Sequence, residues 1–282
     1  LFSSKDSEVV SGTKPVAVLT EFFSHVFPYA VWRVLPHPAP GRNEWAVELR
    51  DVPNKETNFA LIDLAEPALR WQTRPEAADW WTTLTALADD QLFLHNYRFP
   101  DLPEPTDLLS LSTKDGLLSW AAPNHIFVKV LDEANIVVAT RQQDKVLYKQ
   151  CHLENGRLAT LAEEEMTSTT DSPAYRVPIR YRKGDVYFET LSSFLDKTVN
   201  TSGVTVIDYL EASPYIAFSY YIYEKEKIAQ YIVVINRKRE ILYHTCLVEG
   251  REGVGRDTML FKDETLVFLR NSNEFVGIKL SS

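Results

Sequence analysis

Residues 107–120 read DLLSLSTKDGLLSW: an apolar run, a Lys-Asp-Gly turn at 114–116, a second apolar run and Trp120. Alone it reads as a β-hairpin. The stretch 58–71, NFALIDLAEPALRW, aligns with it without a gap, placing Trp71 on Trp120, Leu69 on Leu118 and Pro67 on Gly116. The two tryptophans stand 49 residues apart, a period that belongs to repeat architectures. A third, degraded copy is YKQCHLENGRLAT at 148–160, turning at Asn155-Gly156, and a fourth is YIVVINRKREILYH at 231–244, turning at Arg237–Glu240.

Each of the last three copies follows two further strand-like runs, at 81–87 and 92–97, at 126–131 and 135–140, and at 204–210 and 215–223. In the last of these, YIAFSYYIY puts Ile216, Phe218, Tyr220 and Ile222 on one face, as the period-2 geometry of a strand requires. Four antiparallel strands repeated every ~40–50 residues are the blades of a β-propeller. The chain is therefore expected to be all-β, a propeller of about five to six four-stranded blades, the sixth existing only if 173–203 forms a distorted one. After MLFKDETLVFLRNSNEFVGIKL supplies three strands, the fourth strand of the last blade is expected from VAVLTEFFSHVF at 16–27, closing the ring. One segment departs from strand spacing. Tyr187, Leu191, Phe194, Leu195 and Val199 recur at three- and four-residue steps and predict a helical insertion near 186–199, entered through the polar loop 167–173. The expected organisation is a disordered segment over 1–15 and a single propeller domain over 16–282.

The hairpins ALIDLAEPALRW and LLSLSTKDGLLSW resemble the quinoprotein-type (PQQ-like) propeller repeat, whose outer hairpin runs Ala-Leu-Asp, a Thr-Gly turn, then an apolar strand ending in Trp. Asp63, Gly116, Trp71 and Trp120 carry the likeness, and no single copy carries every element. WAVELRD, ADWWTTL, LFLHNYRFPDLPEP and FSYYIY together resemble an uncharacterised bacterial family, which lends no catalytic residues. The repeat implies an architecture and not the quinone cofactor, which in that class sits in larger rings with calcium and dedicated acidic ligands. No cofactor and no metal site are expected here.

Composition narrows the partners. Thirty Lys and Arg against 39 Asp and Glu leave a formal charge of −9, which repels phosphate backbones and argues against nucleic acid. No apolar run approaches the ~20 residues of a membrane-spanning helix, so no membrane partner is expected. Glycine is scarce, at 10 of 282, so turns must lean on Asn, Asp, Pro and Lys/Glu pairs. The start, LFSSKDSEVVSGTKP, has neither Met nor the apolar core of an export signal, which predicts a cytoplasmic protein, or an exported one had a signal been removed ahead of Leu1. Cys151 and Cys246 both fall in strand-like runs and read as reduced thiols. LYKQC at 147–151 and LYHTC at 242–246 look alike, yet the repeat register puts Cys151 before its turn and Cys246 after one, so the likeness is chance.

Three clusters are candidates for chemistry. In FLHNYRFPDLPEPTD, Phe93, His95 and Tyr97 alternate onto one face, and Asp101 and Glu104 follow in a proline-stiffened loop. A histidine beside a carboxylate can do acid–base work or hold a metal, which makes these residues candidates for ligand binding. Trp80 and Trp81 point to opposite faces, so one packs between blades while the other is a stacking candidate for a ligand. In YRVPIRYRKG, Arg176, Arg180 and Arg182 share one face of a strand and form an anion-binding candidate, or an edge guarded by charge and by Pro178. GREGVGRD at 250–257 lacks the Lys-Ser/Thr of a phosphate loop and reads as a loop.

The reading these features favour is a non-catalytic binding or scaffolding propeller, with a protein or small-molecule ligand at one mouth of the ring. The alternative is a small propeller hydrolase or lyase acting on a carbohydrate or peptide through His95 and a carboxylate. A third is a module that binds another protein through the helix.

Overall fold

Alternating apolar residues bury one or both faces of short strands, and these strands pair in chain order into successive antiparallel sheets. The computed structural model describes residues 18–280 except 100, 103, 144, 163–173, 225–226 and 256–257. The expected disordered segment 1–15 and the loop 167–173 lie outside the described residues.

The first strand is β1 (Glu21–Val26). Sheet I holds β2 (Ala30–Pro36), β3 (Glu44–Asp51), β4 (Glu56–Asp63) and β5 (Ala68–Thr73). Sheet II holds β6 (Thr83–Ala88), β7 (Gln91–Asn96), β8 (Asp107–Ser112) and β9 (Leu118–Ala122). Sheet III holds β10 (Ile126–Val130), β11 (Asn135–Gln142), β12 (Lys145–His152) and β13 (Leu158–Thr160). Two short strands, β14 (Tyr175–Arg176) and β15 (Ile179–Arg182), and the helix α1 (Phe188–Val199) follow. Sheet IV is β15 with β16 (Val204–Ala212), β17 (Tyr215–Glu224), β18 (Lys227–Asn236) and β19 (Ile241–Arg251). Sheet V runs β14, β20 (Met259–Lys262), β21 (Thr265–Arg270), β22 (Glu274–Lys279) and finally β1.

The protein is a β-propeller of five such sheets. The chain closes as expected: β1 pairs antiparallel with β22, Ser24 opposite Val276 and Val26 opposite Glu274. Among the described residues, 174–203 supply β14, β15 and α1 and no sixth blade.

What stacks one sheet on the next is visible at the repeat tryptophans. The Trp71 indole N–H donates to the Thr113 carbonyl (2.7 Å) in the turn of sheet II, and Trp120 donates to the Leu153 carbonyl (2.7 Å) in the turn of sheet III. Each ring lies against the glycine three residues beyond its acceptor. A Cβ on Gly116 would sit 2.8 Å from the Trp71 ring, and one on Gly156 would sit 2.7 Å from the Trp120 ring. Both glycines have positive φ, 73° and 70°. Only glycine satisfies the close approach and the left-handed backbone together. Behind these contacts, Leu61, Leu84 and Leu94 fill the junction of sheets I and II, and Phe93, Trp120, Ile136 and Cys151 that of sheets II and III. The first strands β2, β6 and β10 run side by side, so the sheets converge at that edge.

The other junctions use different means. Trp45 packs edge-on against Phe275 (5.9 Å between centroids) where sheets I and V meet, and the buried Lys262 ammonium donates to the Ala39 carbonyl (2.6 Å). Aliphatic residues of β16–β19 meet those of β20–β22 between sheets IV and V. The face of sheet IV away from sheet V is covered by α1, whose Phe188 and Leu195 bury against Ile207, Phe218 and Val233. The helix ends at Asn200 in the left-handed conformation, with Lys197 in its last turn. Tyr187, expected on its buried stripe, lies before the first turn and is 60% exposed. Among the described residues no apolar cluster joins sheet III to sheet IV.

The tryptophan–glycine contact predicts a non-additive pair. Trp120→Ala should cost about 3–5 kcal/mol in urea unfolding. Gly156→Ala should cost more than the about 1–2 kcal/mol of a left-handed alanine, because its methyl also strikes the ring. The double variant should lose less than the sum, since without the ring the methyl has room. Strict additivity would show that ring and glycine do not act together.

Candidate functional site

The histidine cluster does not assemble as a proton-transfer pair. His95 sits near the end of β7, and its Nε2 accepts the backbone N–H of Phe127 in β10 (2.9 Å), which bridges sheets II and III. That bond fixes the proton on Nδ1. Burial, with the Arg33 guanidinium adding, pushes its pKa down to about 4. Asp101 and Glu104 lie on the exposed loop beyond β7, Glu104 reaching Arg141 at 3.3 Å. Tyr97 falls just past the end of β7 and is half-buried.

Trp80 and Trp81 lie in the turn before β6 and not on a strand, and neither is buried; the half-buried Trp80 is held by a cation. The Arg50 guanidinium lies 5.1 Å from the Trp80 ring and 5.8 Å from the Trp32 ring. Arg50 also pairs with the buried Glu48 carboxylate and donates to the Trp80 and Thr82 carbonyls. Glu48 accepts the Leu84 N–H at 2.7 Å, so the pair fastens sheet I to the start of sheet II. Trp81 is 46% exposed.

The arginine face requires a correction. Arg176 belongs to β14 in sheet V, whereas Arg180 and Arg182 belong to β15 in sheet IV, so the three do not share one strand. Pro178, which has no N–H to donate, falls where the chain passes from one sheet to the next. Arg176 donates to the Glu211 carbonyl (3.0 Å) and lies over Phe261. Arg182 is exposed. Arg180 grips the buried Asp208 with two bonds, 2.6 and 2.8 Å, and donates to the Gly255 carbonyl at 2.6 Å.

This last contact leads to a cavity of about 510 Å³ where sheets I, IV and V come together. Its walls are the β2 residues 31–34, Gln230 of β18, the far end of β19 with the loop after it, and Leu269 and Ser272 around the β21–β22 turn. Backbone bonds join these pieces: Val31 N–H donates to the Ser272 carbonyl and Asn271 N–H to the Leu247 carbonyl, both 2.8 Å. Arg33 donates to the Leu84 carbonyl (2.7 Å), Arg251 to Gln230 Oε1 (3.0 Å), and Thr258 to Asp208 Oδ2 (2.8 Å). A Cβ on Gly255 would lie 2.8 Å from Arg251 Nη1, so the guanidinium rests directly on that glycine's backbone. The Tyr221 hydroxyl is buried beside Gly255 without a hydrogen bond of normal geometry. Burial pushes its pKa up to about 12, with Asp208 adding, while Arg180 and Arg251 pull the other way. Arg251 and Gly255 lie in the stretch read from sequence as a plain loop. The signal present there was the pairing of arginine with glycines that admit close approach.

A β-propeller with a cavity of mixed polar and apolar wall between three sheets is thus the class that fold and site define. Residues 39–120 match the model of a domain of unknown function, DUF4905, a span that contains both repeat tryptophans and Gly116. No curated protein matches the chain. Among solved structures the chain is similar to BamB from Moraxella catarrhalis, at 8% identity over 93% of this chain and 100% of that one, with a TM-score of 0.34. It is also similar to a putative TolB from Agrobacterium tumefaciens (10% identity, 90% and 91% covered, TM-score 0.32). The β-propeller domain of the Trilobed protease from Pyrococcus furiosus gives 9% identity, 90% and 82% covered, and a TM-score of 0.32. These are distant likenesses, and nothing about function passes through them.

His95 gives a pH prediction. Its folded pKa of about 4 lies below the ordinary 6.5, so its contribution is complete above pH 6.5 and is lost as pH falls towards 4. His95→Gln keeps an acceptor at the reach of Nε2 and removes the titration. Between pH 7 and 4.5 the wild type should lose roughly 2 kcal/mol more unfolding free energy than the glutamine variant, the histidine's partial exposure allowed for. Equal losses in urea titrations would remove His95 from this role.

Proposed function

We propose that the protein is a non-catalytic binding propeller that holds a small molecule in the cavity between sheets I, IV and V. The observation that carries this reading is the cavity itself. At about 510 Å³ it falls within the ~300–1,000 Å³ range of small-molecule sites. Its polar groups converge from elements far apart in the chain: Arg33 from β2, Gln230 and Arg251 from β18 and β19, Thr258 and Ser272 from sheet V and its approach. Val31, Val34, Val248 and Leu269 supply the apolar part of the wall. The hydrolase alternative draws no support from His95, whose acceptor nitrogen is occupied by the Phe127 N–H.

Native mass spectrometry of untreated protein tests the reading. The wild type should carry one non-covalently bound small molecule, and Val248→Trp, which narrows the cavity, should lose it while keeping the unfolding free energy of the ligand-free wild type. A wild type that carries nothing, and whose melting temperature no member of a broad metabolite panel raises, would overturn the proposal.

A further inference from the structure

The cavity has a property that binding as such does not require: its wall is positive in a protein whose formal charge is −9. Arg33 and Arg251 both line it, and among the described residues no aspartate or glutamate does. Eight other arginines, Arg42, Arg50, Arg70, Arg74, Arg98, Arg141, Arg180 and Arg270, pair with carboxylates. Among the described residues, the side-chain bonds of Arg33 and Arg251 go instead to neutral oxygens, the Leu84 carbonyl and the Gln230 amide. Asp208 does not compensate them, because Arg180 and Thr258 already occupy its oxygens. The uncancelled charge reaches outward, since Arg33 helps to keep His95 neutral.

The guanidiniums are also held in place. Arg251 is set by Gln230 and by the absent side chain of Gly255, while Arg180 fixes the Gly255 carbonyl from the other side. A fork held in position forms hydrogen bonds to an oxyanion with little further loss of rotamer freedom. Trp32, 67% exposed, forms part of the same wall, and Arg50 lies 5.8 Å from its ring. An aromatic or apolar body could rest there while its anionic end meets the arginines.

We infer that the cavity selects a small organic molecule bearing an oxyanion, a carboxylate or a phosphate monoester, which Arg33 and Arg251 bind while its apolar body contacts Trp32. This rests on the reading of the cavity as a ligand site. Isothermal titration with phenyl phosphate, phenylacetate and neutral phenylacetamide tests it. At least one anionic probe should bind one-to-one and at least tenfold more tightly than phenylacetamide. Arg33→Gln and Arg251→Gln should each weaken that probe tenfold or more, and Trp32→Phe should abolish the accompanying fluorescence change. Arg157→Gln, an exposed arginine on the turn of sheet III, should change nothing. Urea unfolding verifies that each variant is folded, and Gly255→Ala, which displaces the Arg251 fork, gives the same loss without deleting a charge.

Tighter phenyl phosphate than phenylacetate identifies a phosphate monoester, and the reverse order a carboxylic acid; either supports the inference. Phenylacetamide binding as tightly as the anions would overturn it and leave the ligand cavity standing. Binding of neither anion would overturn it as well, and a bound mass in untreated protein would then decide whether the cavity reading survives alone.

Discussion

An indole ring laid on a glycine of the next sheet's turn sets how the first three sheets stack. The contact works because three requirements meet in one place. The turn needs a left-handed residue, the ring needs a surface without a Cβ, and the indole N–H needs an acceptor, which the carbonyl three residues before the glycine supplies. Apolar burial alone sets only how far apart two sheets lie. The directed hydrogen bond also sets their rotation, and each sheet must take the same orientation to its neighbour for the first strands to converge.

Where the contact is missing, the architecture changes. Aligning Gly156 on Gly116 puts Thr160 where Trp120 stands, so sheet III has no ring to lay on a following turn, and the fourth copy puts Glu240 at the glycine and His244 at the tryptophan. The insertion comes at that point in the chain. Helix α1 covers the face of sheet IV that a locked neighbour would otherwise cover. Sheet IV is also built on a larger scale, β19 having 11 residues where β9 has 5. The surplus length carries the end of β19 to the β21–β22 turn, where Asn271 bonds the Leu247 carbonyl, and the space between this extension and β2 is the cavity. The site therefore arises where the repeat is least regular.

That relation explains which features could be read from the sequence. The hairpins, the closing strand and the helix are encoded locally, in residues 2, 3 or 4 apart, and a repeat multiplies the evidence. The cavity joins Arg33 to Arg251, more than 200 residues apart in the chain, and each looks ordinary in its own strand or loop. Local reading also misled in instructive ways. Arg176, Arg180 and Arg182 alternate as residues of one strand should, but the chain changes sheets near Pro178, and alternation carries no information about a switch of partner. His95 and its nearby acids are close in sequence, yet the strand aims the imidazole at the neighbouring sheet while the proline-rich loop carries the acids outward.

The arginines bear on why the irregular region keeps its charges. Two like charges on one cavity wall, without a carboxylate partner among the described residues, work against folding, whereas Arg180 shows that the same neighbourhood can supply a buried partner in Asp208. A single Asp or Glu at Val248 or Ser272 is a small mutational step that would neutralise the wall, and the sequence has valine and serine there. In a chain with 39 acidic residues, whose other arginines mostly find carboxylates, such an exception is where binding is to be sought, since a bound anion would supply the missing charge from outside. Occupancy would then also stabilise the fold, by linking β2 of the tryptophan-locked part to the extended end of sheet IV. The ligand would thus act at the junctions where the repeat supplies no indole lock.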